Sequence, residues 1–281
     1  MNTSLQTMTI PQNKRVWSKY LFRFDLLMAG LTALFFSLIA LVLLSLVGAA
    51  SWSEIIEHVS SPQGMSAIFL SLATSLTVVA LTLLIGFPVA YILALKQFKG
   101  KAILETLIDL PIIMPPLVTG LSLLLLLKPS NPLGGLLQEA GIGILFTPYG
   151  IVLAQFFVAS PFFIKTARES IVAIPGNLLA ASATLNASDF YTFRKVILPL
   201  CRKGACAGLA MTWARALGEF GATAMVAGSI PGKTETMTIS IYMEAMSGGM
   251  SNSISTALVL VMFSFTLLFI LKVQAGRQHE Y

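Results

Sequence analysis

The sequence predicts an all-α membrane protein, a bundle of six transmembrane helices with a helical loop on the cytoplasmic side. Of the 281 residues, 56% are hydrophobic and only 11% are charged, whereas a soluble domain carries about 25% charged residues. The apolar residues also gather in long runs, and a helix needs about 20 of them to cross a bilayer. So few charges cannot cover a surface exposed to water, but they suit one exposed to lipid.

Six runs are candidate spans, and each is bounded by polar or basic residues. They cover residues 26–47, 66–95, 107–127, 151–166, 205–230 and 254–271. The fourth run is short, and we expect its helix to continue towards Ile174. The third run contains Pro111, Pro115 and Pro116. Because proline interrupts the helical hydrogen bonds, we predict a kink or an unwound entry there.

The Lys and Arg residues predict the orientation of these spans. With a cytoplasmic N-terminus, fifteen of the 18 fall in cytoplasmic segments, Lys128 and Lys233 fall in outer loops, and Arg215 lies within the fifth run. Cytoplasmic loops are enriched in basic residues. We therefore predict a transmembrane domain over residues 26–272, with cytoplasmic tails at 1–25 and 273–281. The net charge of +6 is then a topology signal and does not indicate nucleic-acid binding.

Residue types that bind metals or perform catalysis are sparse. Cys201 and Cys206 form no CxxC pair, and His58 and His279 lie apart from each other. We predict no metal site, no cofactor and no catalytic residue on this chain. Motifs of membrane-embedded hydrolases, such as HExxH and GxSxG, are also absent from the sequence.

One inner segment, at about residues 175–200, is more regular than a simple connection. It contains an Ala-, Leu- and Thr-rich stretch from Asn177 to Phe193, then Arg194-Lys195, and it closes at Leu198-Pro199-Leu200. This pattern predicts one or two short helices on the cytoplasmic face. From composition alone, an ordinary interfacial helix that ends at a proline explains it.

The order of residues in this segment resembles the cytoplasmic signature of ABC importer permeases: Glu-Ala-Ala, three residues, Gly, nine residues, then Ile-x-Leu-Pro. Here Ala180-Ala181-Ser182 stand at the Glu-Ala-Ala positions, Asn186 at the glycine and Val196-Ile197-Leu198-Pro199 at the end. The resemblance implies a coupling helix that docks on a cytoplasmic ATPase. The residues assigned to that contact are Ala180, Ala181, Ser182, Leu185, Asn186, Ala187, Ser188, Leu198 and Pro199.

Two departures from this signature concern its polar residue and its turn. Ala180 replaces the acidic residue, which removes one polar contact to the ATPase. Asn186 replaces the glycine, and we expect the turn to survive because Asn tolerates the left-handed conformation better than most residues.

The fifth run carries the only ionisable residues deep in a span. Arg215 and Glu219 are spaced i, i+4, so one continuous helix would place them on one face. A charge in a span is costly unless it is paired or hydrated. The pair therefore either packs helices together or lies beside a translocation path, and in the second case Thr223 joins it. A secondary transporter working alone would need ionisable residues in several spans.

The stretch from Trp213 to Thr223, followed by Ala227 to Thr234, is similar to molybdate ABC transporter permeases. Tungstate and sulfate or thiosulfate permeases are related alternatives. The resemblance implies a homodimer in the inner (plasma) membrane, a dimeric ATPase that holds ATP and Mg²⁺ on a separate chain, and an extracytoplasmic binding protein. ATP hydrolysis is not expected on this chain.

Small residues on the fifth run leave a packing question open. Gly204 and Gly208 form a GxxxG pair, which permits close approach of two helices. The pair fits packing inside one chain and packing between two subunits equally well.

Overall fold

The computed structural model describes residues 14–276, and every element within that range is helical. Of the predicted tails, residues 1–13 and 277–281 lie outside the described residues, whereas 14–25 and 273–276 belong to helices. The helices are α1 (Lys14–Gly48), α2 (Trp52–Ser60), α3 (Pro62–Leu81), α4 (Phe87–Leu95), α5 (Lys101–Ile113), α6 (Pro116–Leu127), α7 (Pro132–Glu139), α8 (Pro148–Val172), α9 (Gly176–Thr184), α10 (Asp189–Thr192), α11 (Leu198–Leu217), α12 (Gly221–Ala227), α13 (Met237–Met246) and α14 (Met250–Gly276). Two π-helical turns, Thr82–Gly86 and Phe193–Ile197, join α3 to α4 and α10 to α11.

The chain divides into two compact units after Ala49. The first contains α1, which includes the apolar stretch Phe24–Gly48. The second begins at Ala50 and contains α2 to α14.

Several helices are suited to a membrane. Within the described residues, Phe24–Gly48, Pro62–Leu95 and Pro148–Val172 are long and apolar enough to cross it. The pair α5 and α6 raises the number to four if it counts as one broken span, and Met250–Thr266 is apolar but shorter. An all-helical membrane bundle is thus confirmed, while the count of six spans stays a prediction.

The predicted interruption of the third span is confirmed. Helix α5 ends at Ile113, α6 begins at Pro116, and their axes differ by 114°. Neither Pro115 nor Pro116 has an N–H to continue the helical ladder. The break therefore follows directly from the sequence.

The predicted fifth span is not one continuous helix. Helix α11 begins at Leu198 and ends at Leu217, and α12 covers only Gly221–Ala227. Between them Phe220 has φ −125° and ψ −59°, outside the α-helical region. The expectation that Arg215 and Glu219 share one helix was therefore wrong, because Glu219 lies beyond the last residue of α11.

Helices α8 and α11 pack closely in the centre of the second unit. A Cβ at Gly208 would lie 3.1 Å from Thr166 Cβ and 3.2 Å from Phe163 Cα, and one at Gly204 would overlap the Ser170 hydroxyl. The GxxxG pair therefore serves packing inside one chain, which answers the question that the sequence left open. Larger residues there would force the two helices apart.

The two helix breaks lie against each other. A Cβ at Gly221, the first residue of α12, would lie 2.9 Å from Pro116 Cβ at the start of α6. Similarly, a Cβ at Gly120 would come within 2.8 Å of Ala222 Cα. Small residues on both sides thus let α6 and α12 touch at their first turns.

Candidate functional site

The first candidate site is the tip formed by α9, α10 and the turn between them. Asn186 has φ 54°, which confirms the left-handed conformation expected of it. Its N–H donates to the Ala183 carbonyl, and the Ala187 N–H donates to the Ser182 carbonyl. These two bonds form a Schellman motif, in which Gly or Asn takes the left-handed position. Asparagine thus preserves the turn without the glycine.

Side-chain hydrogen bonds hold the two short helices of this tip together. The Ser188 hydroxyl accepts from the Tyr191 N–H and caps α10. The Thr192 hydroxyl donates to the Ser182 hydroxyl at 3.2 Å and so joins α10 to α9. The prediction of one or two short helices is thus confirmed, with two found.

The exposed surface of this tip is apolar. Leu185 is 81% exposed and Phe190 is 70% exposed. Ala180 and Ala181 are exposed on α9, and Leu198 and Pro199 are exposed at the start of α11. Clustered exposed apolar side chains mark interaction surfaces, so the tip has the character of a docking site. It presents no acidic side chain at position 180.

The second candidate site is the break between α11 and α12. Arg215 Nη2 lies 2.6 Å from Glu219 Oε2, so the pair forms although the helix ends between them. The Glu219 side chain is 1% exposed and that of Arg215 is 29% exposed. The carboxylate of the pair is therefore buried, whereas the guanidinium is partly exposed.

Glu219 has further partners that the sequence did not indicate. Its Oε1 accepts from the Ala222 N–H at 2.8 Å, at the first turn of α12. Its backbone carbonyl accepts from the Thr238 hydroxyl of α13 at 2.8 Å. No local pattern signals the Thr238 contact, which joins two segments 19 residues apart.

Thr223 lies in α12, one turn beyond Glu219, and is fully buried. Its hydroxyl has no hydrogen-bond partner within the described part of the chain. Thr119 of α6 is likewise fully buried with an unpartnered hydroxyl. The predicted role of Thr223 beside a path stays a prediction.

Comparison with known proteins agrees with the fold. Residues 86–278 match the family described as "Binding-protein-dependent transport system inner membrane component". The chain is 33% identical to the probable transport system permease protein NifC of Clostridium pasteurianum, over 88% of this chain and 86% of that protein. It is 35% identical to the molybdenum transport system permease protein ModB of Azotobacter vinelandii, over 75% and 94%. It is 34% identical to the sulfate transport system permease protein CysW of Synechococcus elongatus, over 90% and 91%.

Solved structures support the same fold. A bacterial ABC transporter involved in the import of the acidic polysaccharide alginate matches with a TM-score of 0.68 at 16% identity, covering 94% of this chain and 99% of that one. The MetNI methionine ABC transporter in an inward-facing conformation matches with a TM-score of 0.60 at 15% identity, covering 75% and 94%. At such identities the likeness concerns the fold. On its matched residues and its relatives, the chain belongs to the binding-protein-dependent transport system inner membrane component family, the permease subunits of ABC importers.

Proposed function

We propose that this chain is the membrane-spanning subunit of an ATP-driven importer for molybdate. In this proposal two copies form the translocation path, a separate dimeric ATPase binds their cytoplasmic tips, and an extracytoplasmic binding protein delivers the anion. The observation that carries the ATPase contact is the α9–α10 tip. It combines a preserved left-handed turn at Asn186 with exposed apolar side chains.

The substrate assignment rests on chemistry as well as on relatives. The curated relatives include molybdenum and sulfate permeases, so both tetrahedral dianions are candidates, and tungstate resembles molybdate in shape. Arg215 offers partly exposed guanidinium donors, which suit an oxyanion. We propose that Arg215, Glu219 and Thr223 lie beside the path, with the guanidinium as the group that meets the anion.

Copurification tests the ATPase contact. The tagged chain, expressed with its ATPase, should retain it, and Leu185→Ser should reduce the retained ATPase by roughly tenfold because the substitution removes an exposed apolar anchor. Leu136→Ser is the matched control, since Leu136 of α7 is also exposed, at 64%, but belongs to a predicted outer loop. Equal retention by Leu185→Ser and the control would contradict the proposed docking site.

Stimulation of ATP hydrolysis tests the substrate. In liposomes that contain the transporter and its binding protein, molybdate should raise the hydrolysis rate more than tungstate, sulfate or thiosulfate. Stimulation by sulfate alone would assign the chain to sulfate import. Anion uptake that needs neither ATP nor the ATPase would instead indicate a secondary transporter.

A further inference from the structure

We infer that Glu219 is a positioning residue that partly neutralises Arg215, so that Arg215 contacts the transported oxyanion only weakly and releases it. This inference rests on the proposed function and assigns separate roles to the two members of the pair. Arg215 meets the anion, whereas Glu219 orients Arg215 and sets how strongly the anion is held.

The exposure of the two side chains separates their roles. Glu219 is 1% exposed, so it cannot contact a passing anion directly. Arg215 is 29% exposed, and the described ion pair uses only its Nη2. Since a guanidinium carries five N–H donors, Arg215 keeps donors for a second anionic partner.

The contacts of Glu219 fix the carboxylate in place. Oε2 faces Arg215, Oε1 accepts from the Ala222 N–H, and the backbone carbonyl accepts from the Thr238 hydroxyl. These bonds connect the end of α11 with α12 and α13. The ring of the adjacent Phe220 also packs on Tyr242 of α13, with the centroids 5.0 Å apart. The ion pair and the Ala222 hydrogen bond together hold the carboxylate beside Arg215.

The position of the Arg215–Glu219 pair also supports a role in transport. Glu219 lies in the break between α11 and α12, and this break packs against the one between α5 and α6 through Gly221 and Pro116. Discontinuous helices commonly form the substrate sites of membrane transporters. A charge pair that served only to pack helices would need neither a helix break nor an exposed guanidinium.

Electrostatics explains why an importer would need the carboxylate. A dianion is attracted to an isolated cation twice as strongly as a monoanion is, and low polarity around the site increases the attraction. An unneutralised Arg215 would therefore hold the dianion and slow its release. With Glu219 at 2.6 Å, the approaching anion is attracted by the guanidinium and repelled by the carboxylate.

Binding and turnover measured together test this inference. The probe is radiolabelled molybdate, with labelled sulfate in parallel, bound to the detergent-solubilised permease–ATPase complex without the binding protein. In Glu219→Gln the amide oxygen can still accept from the Ala222 N–H, but the negative charge is gone. We expect this variant to bind molybdate roughly tenfold more tightly and to show a lower maximal uptake rate in liposomes.

Two further variants distinguish neutralisation from a purely structural role. Arg215→Gln leaves a lone carboxylate, which should weaken molybdate binding at least about tenfold. The double variant Arg215→Gln/Glu219→Gln is neutral at both positions and should recover a large part of the uptake rate that Glu219→Gln loses. A structural role predicts lower uptake without tighter binding, and that result for Glu219→Gln would overturn the inference.

The outcome also separates this inference from the proposed function. If neither molybdate nor sulfate stimulates ATP hydrolysis by the wild-type transporter, the proposed function fails. If the wild type transports the anion but Glu219→Gln binds it no more tightly, only the role of Glu219 fails. Should Glu219→Gln not assemble with the ATPase, Arg215→Gln alone decides, since unchanged molybdate binding in that variant contradicts the inference.

Discussion

Two buried acidic sites in this protein differ in what balances their negative charge. At the break between α11 and α12, the Glu219 carboxylate lies 2.6 Å from the guanidinium of Arg215. Beside α2, the buried Glu235 and Glu244 carboxylates have only His58 as a basic partner among the described contacts. The first site pairs its carboxylate with a guanidinium, whereas the basic group at the second site is an imidazole.

The second site joins α2, α3, α13 and the first turns of α14. His58 Nε2 of α2 lies 2.9 Å from the Thr256 hydroxyl of α14 and 3.4 Å from Glu244 Oε1 of α13. Glu235 accepts a long hydrogen bond, 3.4 Å, from the Gln63 amide of α3. In addition, Glu54 of α2 accepts a hydrogen bond from the Ser251 hydroxyl of α14.

Burial changes the titration of this second site. Burial is the larger cause, and together with the nearby Glu235 carboxylate it raises the pKa of Glu244 to about 7. Burial also lowers the pKa of His58 below 6.5, against an opposing effect of Glu235. Both shifts favour the uncharged forms of Glu244 and His58. The comparison therefore shows an ion pair at the Arg215 site, whereas burial at the His58 site opposes charge on both Glu244 and His58.

The largest expected effect comes from removing the permanent cation. Arg215→Ala leaves the Glu219 carboxylate buried and unpaired, and breaking a buried pair in this way costs about 3–5 kcal/mol. We expect a clear drop in the melting temperature of the solubilised protein and a loss of oxyanion uptake. Lys233→Ala is the control, because Lys233 is exposed and lies outside the predicted spans. Normal uptake and stability in Arg215→Ala would show that the guanidinium is dispensable.

A smaller, pH-dependent effect is expected at Glu244. Because its pKa is raised on folding, the folded protein binds a proton more tightly than the unfolded chain. This contribution is present below the unfolded pKa of about 4.5 and is lost as pH rises through about 7. Glu244→Gln, which cannot ionise, should therefore gain stability relative to wild type between pH 5 and pH 8, by a few degrees in melting temperature. A difference that is constant across this pH range would contradict the raised pKa of Glu244.

The smallest effect concerns the titration of His58 itself. The chain has two histidines, so NMR of histidine-labelled protein should give two resonances, which His279→Gln assigns. We expect His58 to titrate below 6.5, and Glu235→Gln to lower its midpoint further by removing a nearby negative charge. A midpoint that rises in Glu235→Gln would contradict the influence of that carboxylate.

The sequence predicted those features that depend on local chemistry. The apolar runs, the interruption at Pro115-Pro116 and the left-handed turn at Asn186 each follow from residue types and their spacing. The end of α11 at Leu217 was missed, because the Ala- and Leu-rich residues before it favour a continuing helix. In the structure, the Thr238 hydroxyl and the packing of Gly221 on Pro116 stabilise the interruption instead.

Contacts between distant segments could not be predicted from one sequence. His58 and Glu244 are separated by 186 positions, and nothing near either residue indicates the other. Both residues lie outside the candidate spans, and the structure places them on α2 and α13. Their burial follows from packing between helices, which no residue pattern reveals.

The length and position of α11 have a mechanical consequence. The helix has 20 residues, about 30 Å at 1.5 Å per residue. It begins just after the α9–α10 tip and ends two residues before Glu219. Because Gly204 and Gly208 allow α11 to pack closely on α8, we expect α11 to move as one rigid helix. A displacement of the α9–α10 tip would then move the guanidinium of Arg215 without any change of conformation within α11.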